Sequence, residues 1–116
     1  MSAFPMAVHA AGLVWLSGHA ALDLATGEIL GSTVEEQADQ IFAGLAKTLA
    51  GHGAHLSDLL RVECFLADLS FYPDWNAAFV RHFPVSPPAR TTLIALPPIP
   101  GLLLEIQGIA LSDRER

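Results

Sequence analysis

The stretch STVEEQADQIFAGLAKTLAG, residues 32–51, decides how this chain folds. Its apolar residues recur at Val34, Ala38, Ile41, Phe42, Leu45 and Leu49, a spacing of three and four that lines one face of an α-helix. Ser32 or Thr33 can cap the start, and Ser32 with Glu35 gives a Ser-x-x-Glu capping box. Glu35, Glu36 and Asp39 lie early, where the helix dipole favours negative charge, and Lys47 lies late. Gly51 and Gly53 end the helix. A helix with one apolar face needs a second layer to cover that face. The sequence on either side switches to period-two patterning, so the second layer is a sheet.

Upstream, Ala7-Val8-His9-Ala10 and Leu13-Val14-Trp15-Leu16 flank Ala11-Gly12 as a hairpin-like opening. A third short strand is expected over 20–23, followed by the turn signal Asp23-Leu24-Ala25-Thr26-Gly27. Downstream, 59–67 alternates as a strand. Residues 68–83 read as a second helix with Phe71, Trp75, Ala78, Phe79 and Phe83 on its buried face. Pro84 and the pair Pro87-Pro88 forbid its continuation and impose an extended approach to Arg90. Two further strands, 91–96 and 102–111, are separated by Pro97-Pro98-Ile99-Pro100-Gly101. The order strand-strand-strand-helix-strand-helix-strand-strand predicts an α+β fold with the helices on one sheet face, as one domain over residues 1–116.

The chain has 116 residues, 52% of them hydrophobic and only 16% charged, with a mean hydropathy of +0.42. That is too apolar for disorder. It also exceeds what a small monomer easily hides, which points to a buried subunit interface. Twelve Asp and Glu against six Lys and Arg give a net charge of −6, and no basic cluster offers a footprint for nucleic-acid phosphates. Cys64 is the single cysteine, so no internal disulfide forms, and in Val62-Glu63-Cys64-Phe65-Leu66 it reads as a small core residue. No apolar run reaches membrane-span length, and the N-terminus lacks the positive flank of a signal peptide, so a cytoplasmic protein without membrane partners is expected.

Arg90 is conspicuous because it opens a strongly apolar stretch, where a guanidinium is costly without a partner or a ligand. A two-pronged grip on a small carboxylate is the chemistry it suits. Thr92 shares its strand face, and Gln107 shares that of Glu105. If the two strands are neighbours, these four form a polar group on an otherwise apolar face. That group is either a self-satisfied Arg–Glu pair or part of a site. Ser17 could add a hydroxyl and Asn76 an amide, although each alone is an ordinary local hydrogen-bonder. A Ser-His-acid arrangement from Ser17, a histidine and Glu105 is conceivable, but Leu16-Ser17-Gly18 lacks the first glycine of a nucleophile elbow. The five histidines show no paired metal spacing; His52 and His55 should face solvent, and only His19 is expected near a site.

Several pieces match one pattern in order: Ser17-Gly18, Asp23 with Thr26-Gly27, Glu36-Gln37, the strand over 59–68, Asn76 with Phe83, Pro88-Ala89-Arg90, Leu96-Pro97, and Glu105-Ile106 with Ile109-Ala110. On these residues the chain resembles the RidA family, also called YjgF or the L-PSP "endoribonuclease" family. The resemblance implies a chorismate-mutase-like (bacillus type) fold and a homotrimer with a central barrel and active sites between subunits. It also implies hydrolysis of reactive 2-enamino and 2-imino acids, such as 2-aminoacrylate, to 2-oxo acids and ammonia without a cofactor or metal. Arg90 matches the residue that binds the substrate carboxylate, Glu105 the one that positions water. Ser17 and Asn76 match residues lining the cleft. Thr92 stands where the family has cysteine and His19 where it has glutamine, and both join the expected substrate-binding set. Phe4-Pro5-Met6 replaces Gly-Pro-Tyr, which removes the family's pocket tyrosine and puts substrate preference in question. The alternatives are a carboxylate-binding or regulatory protein without turnover, and an enzyme of the same superfamily acting on a larger acid.

Overall fold

The computed structural model describes residues 3–112. Five strands form one sheet: β1 (Ala7–Ala10), β2 (Leu13–His19), β3 (Leu59–Leu66), β4 (Ala89–Ile94) and β5 (Leu104–Leu111). Helices α1 (Val34–Ala50) and α2 (Tyr72–His82) cover one face of it. The spatial order is β1-β2-β5-β3-β4, antiparallel except for the parallel pair β3 and β4. That pair is joined through α2, the crossover a parallel connection requires. The predicted α+β layering is therefore present.

The opening hairpin turns on Ala11 at φ 56° and Gly12 at φ 75°, two left-handed residues in a two-residue loop, which suits the twist of the flanking strands. The strand expected over 20–23 does not form. Asp23 instead accepts the backbone N–H groups of Ala25 (2.9 Å) and Thr26 (3.3 Å), and this turn leaves only an isolated bridge between Leu22 and Ile29. Of the two cap candidates, helix α1 uses Thr33, and the box runs to Glu36 rather than from Ser32 to Glu35. Thr33, not Ser32, accepts the N–H of Glu36 at 3.1 Å, and the Glu36 carboxylate returns to the Thr33 N–H at 3.3 Å. The second helix is also shorter than 68–83. Leu69–Phe71 is a 3₁₀ turn held by the Asp68 side chain, and Pro73 fixes the first turn of α2 behind it.

The core lies between the helices and the sheet. Phe42 of α1 stacks on Trp75 of α2 at 6.1 Å between ring centroids and meets Phe83 edge-on at 5.4 Å, with Phe42 and Trp75 both almost fully buried. Truncating such a residue to alanine typically costs about 3–5 kcal/mol. Cys64 is fully buried there, as expected, and desolvation pushes its thiol pKa far up. Among the described residues no element covers the opposite sheet face. Val8, Trp15 and Leu93 are 50%, 42% and 49% exposed. No helix among the described residues is long and apolar enough to cross a membrane.

Candidate functional site

Glu105 occupies the second position of β5, on the face away from the helices, where it pairs across β3 with Phe65. A β-bulge in β2 creates its surroundings. Leu16 pairs with Gly108 but His19 pairs with Ile106, so one extra residue is inserted between them. The insertion shifts the inward–outward alternation, which turns the His19 ring toward α1 and lays Gly18 against Glu105. A Cβ on Gly18 would overlap Glu105 Oε2 and come within 2.9 Å of Cδ. The carboxylate thus rests on a stretch of bare backbone that only glycine provides. It is partly buried, and desolvation raises the Glu105 pKa above the ordinary glutamate range.

His19 and Ser17 make local hydrogen bonds. The buried His19 ring donates from Nδ1 to the Ser17 carbonyl at 2.8 Å, and Nε2 receives the Thr48 hydroxyl proton at 2.9 Å. A carbonyl can only accept, which fixes this tautomer. The Ser17 hydroxyl donates to Pro5 O at 2.6 Å and anchors the segment carrying Met6, while the Ser17 N–H holds Met6 O. No Ser17–His19 side-chain hydrogen bond is present, so a Ser-His-acid triad does not form. Burial holds the His19 pKa below 6.5. The unfolded chain takes up this proton near pH 6.5, so the stability that neutral His19 confers is present above that pH and is lost as pH falls toward the lower folded value. The thermal midpoint should drop between pH 7.5 and 5.5, and the drop should be smaller in His19→Gln. Equal slopes would show that His19 does not govern it.

Arg90 belongs to a second cluster. Its strand pairs with β3 so that Arg90 lies beside Val62 and Thr92 beside Cys64, both facing the helices. The guanidinium sits over the rings of Phe79 (4.6 Å), Tyr72 (5.8 Å) and Trp75 (5.9 Å), and Nη2 donates to the Tyr72 hydroxyl at 3.0 Å. The Trp75 indole N–H donates to Thr92 Oγ1 at 3.0 Å. Asn76 lies one helical turn beyond Tyr72, on the same stripe of α2. No carboxylate pairs with Arg90 among the described residues, whereas Arg81 is bound to Asp39 at 2.9 Å and to Glu35 at 3.5 Å.

Within one chain the two clusters do not meet, because β4 and β5 are not neighbours, the condition on which the shared polar group depended. β3 lies between β4 and β5, and Arg90 and Thr92 face the helices while Glu105 and Gln107 face away. Gln107 instead donates to Glu63 on the adjacent strand at 3.3 Å. Strand spacing of about 4.8 Å and a rise of about 3.3 Å per residue separate the Cα atoms of Arg90 and Glu105 by roughly 14 Å.

Beside Glu105 opens a cleft of about 990 Å³. Met6, Gly18, His19, Leu22, Gly44 and Leu102 are among the residues that line it, together with Lys47 and His52. His52 was expected to face solvent; it is half-buried on this wall, while His55 is exposed. Gln37, quoted from the sequence only within the Glu36-Gln37 match, has a structural role. Its buried amide donates to Gly31 O (3.1 Å) and Gly101 O (3.0 Å) and accepts the Leu103 N–H (2.8 Å), pinning the chain just before Glu105. The signal was an amide on the helix's apolar stripe, directly before Ala38. No group of His, Cys, Asp and Glu that could hold a metal occurs among the described residues.

A family model for endoribonuclease L-PSP matches residues 1–112. The chain is 32% identical over 108 residues to the chloroplastic Reactive Intermediate Deaminase A of Arabidopsis thaliana, covering 92% of this chain but only 57% of that protein. It is 37% identical over 107 residues to Protein DfrA of Myxococcus xanthus, covering 90% of this chain and 80% of that one. A crystal structure of a putative endoribonuclease L-PSP from Entamoeba histolytica superposes with a TM-score of 0.86 at 31% identity, over 96% of this chain and 89% of the other. RidA from an Antarctic Psychrobacter also superposes with a TM-score of 0.86, at 26% identity over 95% and 89% of the two chains. Likeness in sequence and fold runs through both clusters, and the chain belongs to the L-PSP endoribonuclease family, the RidA/YjgF family.

Proposed function

We propose that the protein hydrolyses reactive 2-imino and 2-enamino acids to 2-oxo acids and ammonia, in sites that two copies of the chain build together. The observation that carries this reading is the unpaired Arg90 guanidinium on one sheet face and the desolvated Glu105 on the other. A three- or four-carbon imine cannot span both within a chain. Closing the sheets of three copies would cover the exposed Val8, Trp15 and Leu93 and bring Arg90 of one copy toward Glu105 of the next.

In that site Arg90 holds the substrate carboxylate in a bidentate grip, and Tyr72 fixes the guanidinium while leaving its other N–H groups free. An enamine first takes a proton at C3 to become the iminium. Glu105 orients a water against the C=N carbon and accepts one of its protons as the C–O bond forms. Glu105 then passes that proton to the carbinolamine nitrogen. The C–N bond breaks as the hydroxyl gives up its proton, ammonia leaves, and the 2-oxo acid remains with Glu105 ionised again. Water supplies the oxygen, so the balance needs no oxidant, and the chemistry requires neither a cofactor nor a metal. The four described Lys and Arg residues form no stripe that would follow a phosphate backbone, which agrees with a small-molecule substrate.

The test is complementation. Arg90→Ala and Glu105→Gln chains, each inactive in an assay of 2-aminoacrylate released by a coupled dehydratase, are unfolded together and co-refolded. Random assembly should restore about a quarter of the wild-type sites, because each site needs an intact Arg90 from one copy and an intact Glu105 from another. No recovery from fully assembled mixtures would refute the shared site. Wild-type protein that binds 2-oxo acids saturably but leaves imine decay at the buffer rate would establish a non-catalytic carboxylate-binding protein instead.

A further inference from the structure

The cleft beside Glu105 is far larger than a three-carbon imine needs. Its volume of about 990 Å³ lies at the top of the range, roughly 300–1,000 Å³, that takes drug-sized ligands. Much of its wall is apolar: Met6, Leu22, Leu30 and Leu102 among others. The cleft meets the proposed reaction centre at one end, where Gly18, His19 and Glu105 line it.

Gly44 lines this space. It lies in the middle of α1, where glycine is the poorest helix former after proline. Packing does not demand it, because a Cβ at position 44 would meet only His19 Cδ2, at an ordinary 3.8 Å. Its backbone has no positive φ to explain the residue either. What the missing side chain leaves is room in the cleft wall beside His19.

We infer that Gly44 and the apolar cleft make the protein selective for 2-imino acids with bulky apolar side chains, which lie in the cleft while the imine carbon sits at Glu105. This rests on the deaminase reading and narrows its substrate class. A single methylene in an apolar pocket is worth tenfold or more in kcat/KM. A branched or aromatic side chain should therefore gain at least about tenfold over a methyl group.

The experiment compares imines generated by an amino-acid oxidase from leucine, phenylalanine and alanine, following imine loss with a semicarbazide trap. Wild-type kcat/KM should favour the leucine- and phenylalanine-derived imines by at least about tenfold. Gly44→Leu should bring that ratio close to one. Gly44→Ala, which the 3.8 Å clearance admits, should reduce it partially while raising the thermal midpoint. A purely structural glycine would change the midpoint and leave the ratio alone. An absence of preference in wild type, or an unchanged ratio in folded Gly44→Leu, overturns the inference and leaves the deaminase reading standing. If no imine decays faster than in buffer, the deaminase reading fails, and the Kd values of 4-methyl-2-oxopentanoate and pyruvate decide the cleft separately. Tighter binding of the branched acid, lost in Gly44→Leu, supports its selectivity, and equal binding refutes it.

Discussion

Truncating Arg90 to alanine is expected to lower kcat/KM for 2-iminopropanoate by about 10³-fold, since losing one partner of a desolvated charge pair costs about 2–5 kcal/mol. The substrate loses both its anchor and its orientation, and water no longer faces the C=N carbon along a fixed path. Arg90→Lys should recover little, because an ammonium cannot present two parallel donors to a carboxylate. Stability should change much less. The guanidinium contributes a ring-stacked contact of about 0.5–2 kcal/mol over Phe79, and no ion pair is broken. The measurement is the coupled imine-decay assay, with sedimentation showing that assembly is retained. A wild-type rate in Arg90→Ala would remove the basis of the proposed mechanism.

Glu105→Gln should lower kcat by about 10²–10⁴-fold, the usual contribution of a positioned general base. The amide keeps the size of the carboxylate but cannot accept the proton from water. Because burial raises the Glu105 pKa, the acid limb of the wild-type pH–rate profile should lie above the ordinary glutamate range, with activity lost as pH falls through it. The residual activity of Glu105→Gln should lack that limb. Gly18→Ala tests the same group without altering it. The added methyl overlaps the carboxylate and pushes a flexible side chain aside, so the fold should be little disturbed. A displacement on the order of 1 Å at a reacting group can cost about 10²-fold in rate. An unchanged rate in Gly18→Ala would mean that the resting place of Glu105 is not its working position.

Both helices, the hairpin and the strands were legible because each depends on local pattern. The stripe from Val34 to Leu49 and the Thr33–Glu36 cap are relations within a few residues. The mismatches were local competitions as well. At 20–23 the apolar run gave way to the hydrogen bonds of Asp23, and at 69–71 the Asp68 side chain favoured a 3₁₀ turn. The chemical types were also legible: an isolated arginine in an apolar stretch, an acid among alternating aliphatics, an exposed apolar surplus.

The sequence by itself determined an α+β layer, the positions of Arg90 and Glu105 on two strands, and the likeness that names the family. Only the tertiary structure decided what those residues could share. Strand order is set by long-range pairing, and β3 lies between β4 and β5, so period-two alternation within each strand could not reveal that Arg90 and Glu105 face opposite ways. The same holds for the bulge that places Gly18 under Glu105 and for the room left beside Gly44. These are contacts between segments far apart in the chain, and no residue pattern inside either segment records them.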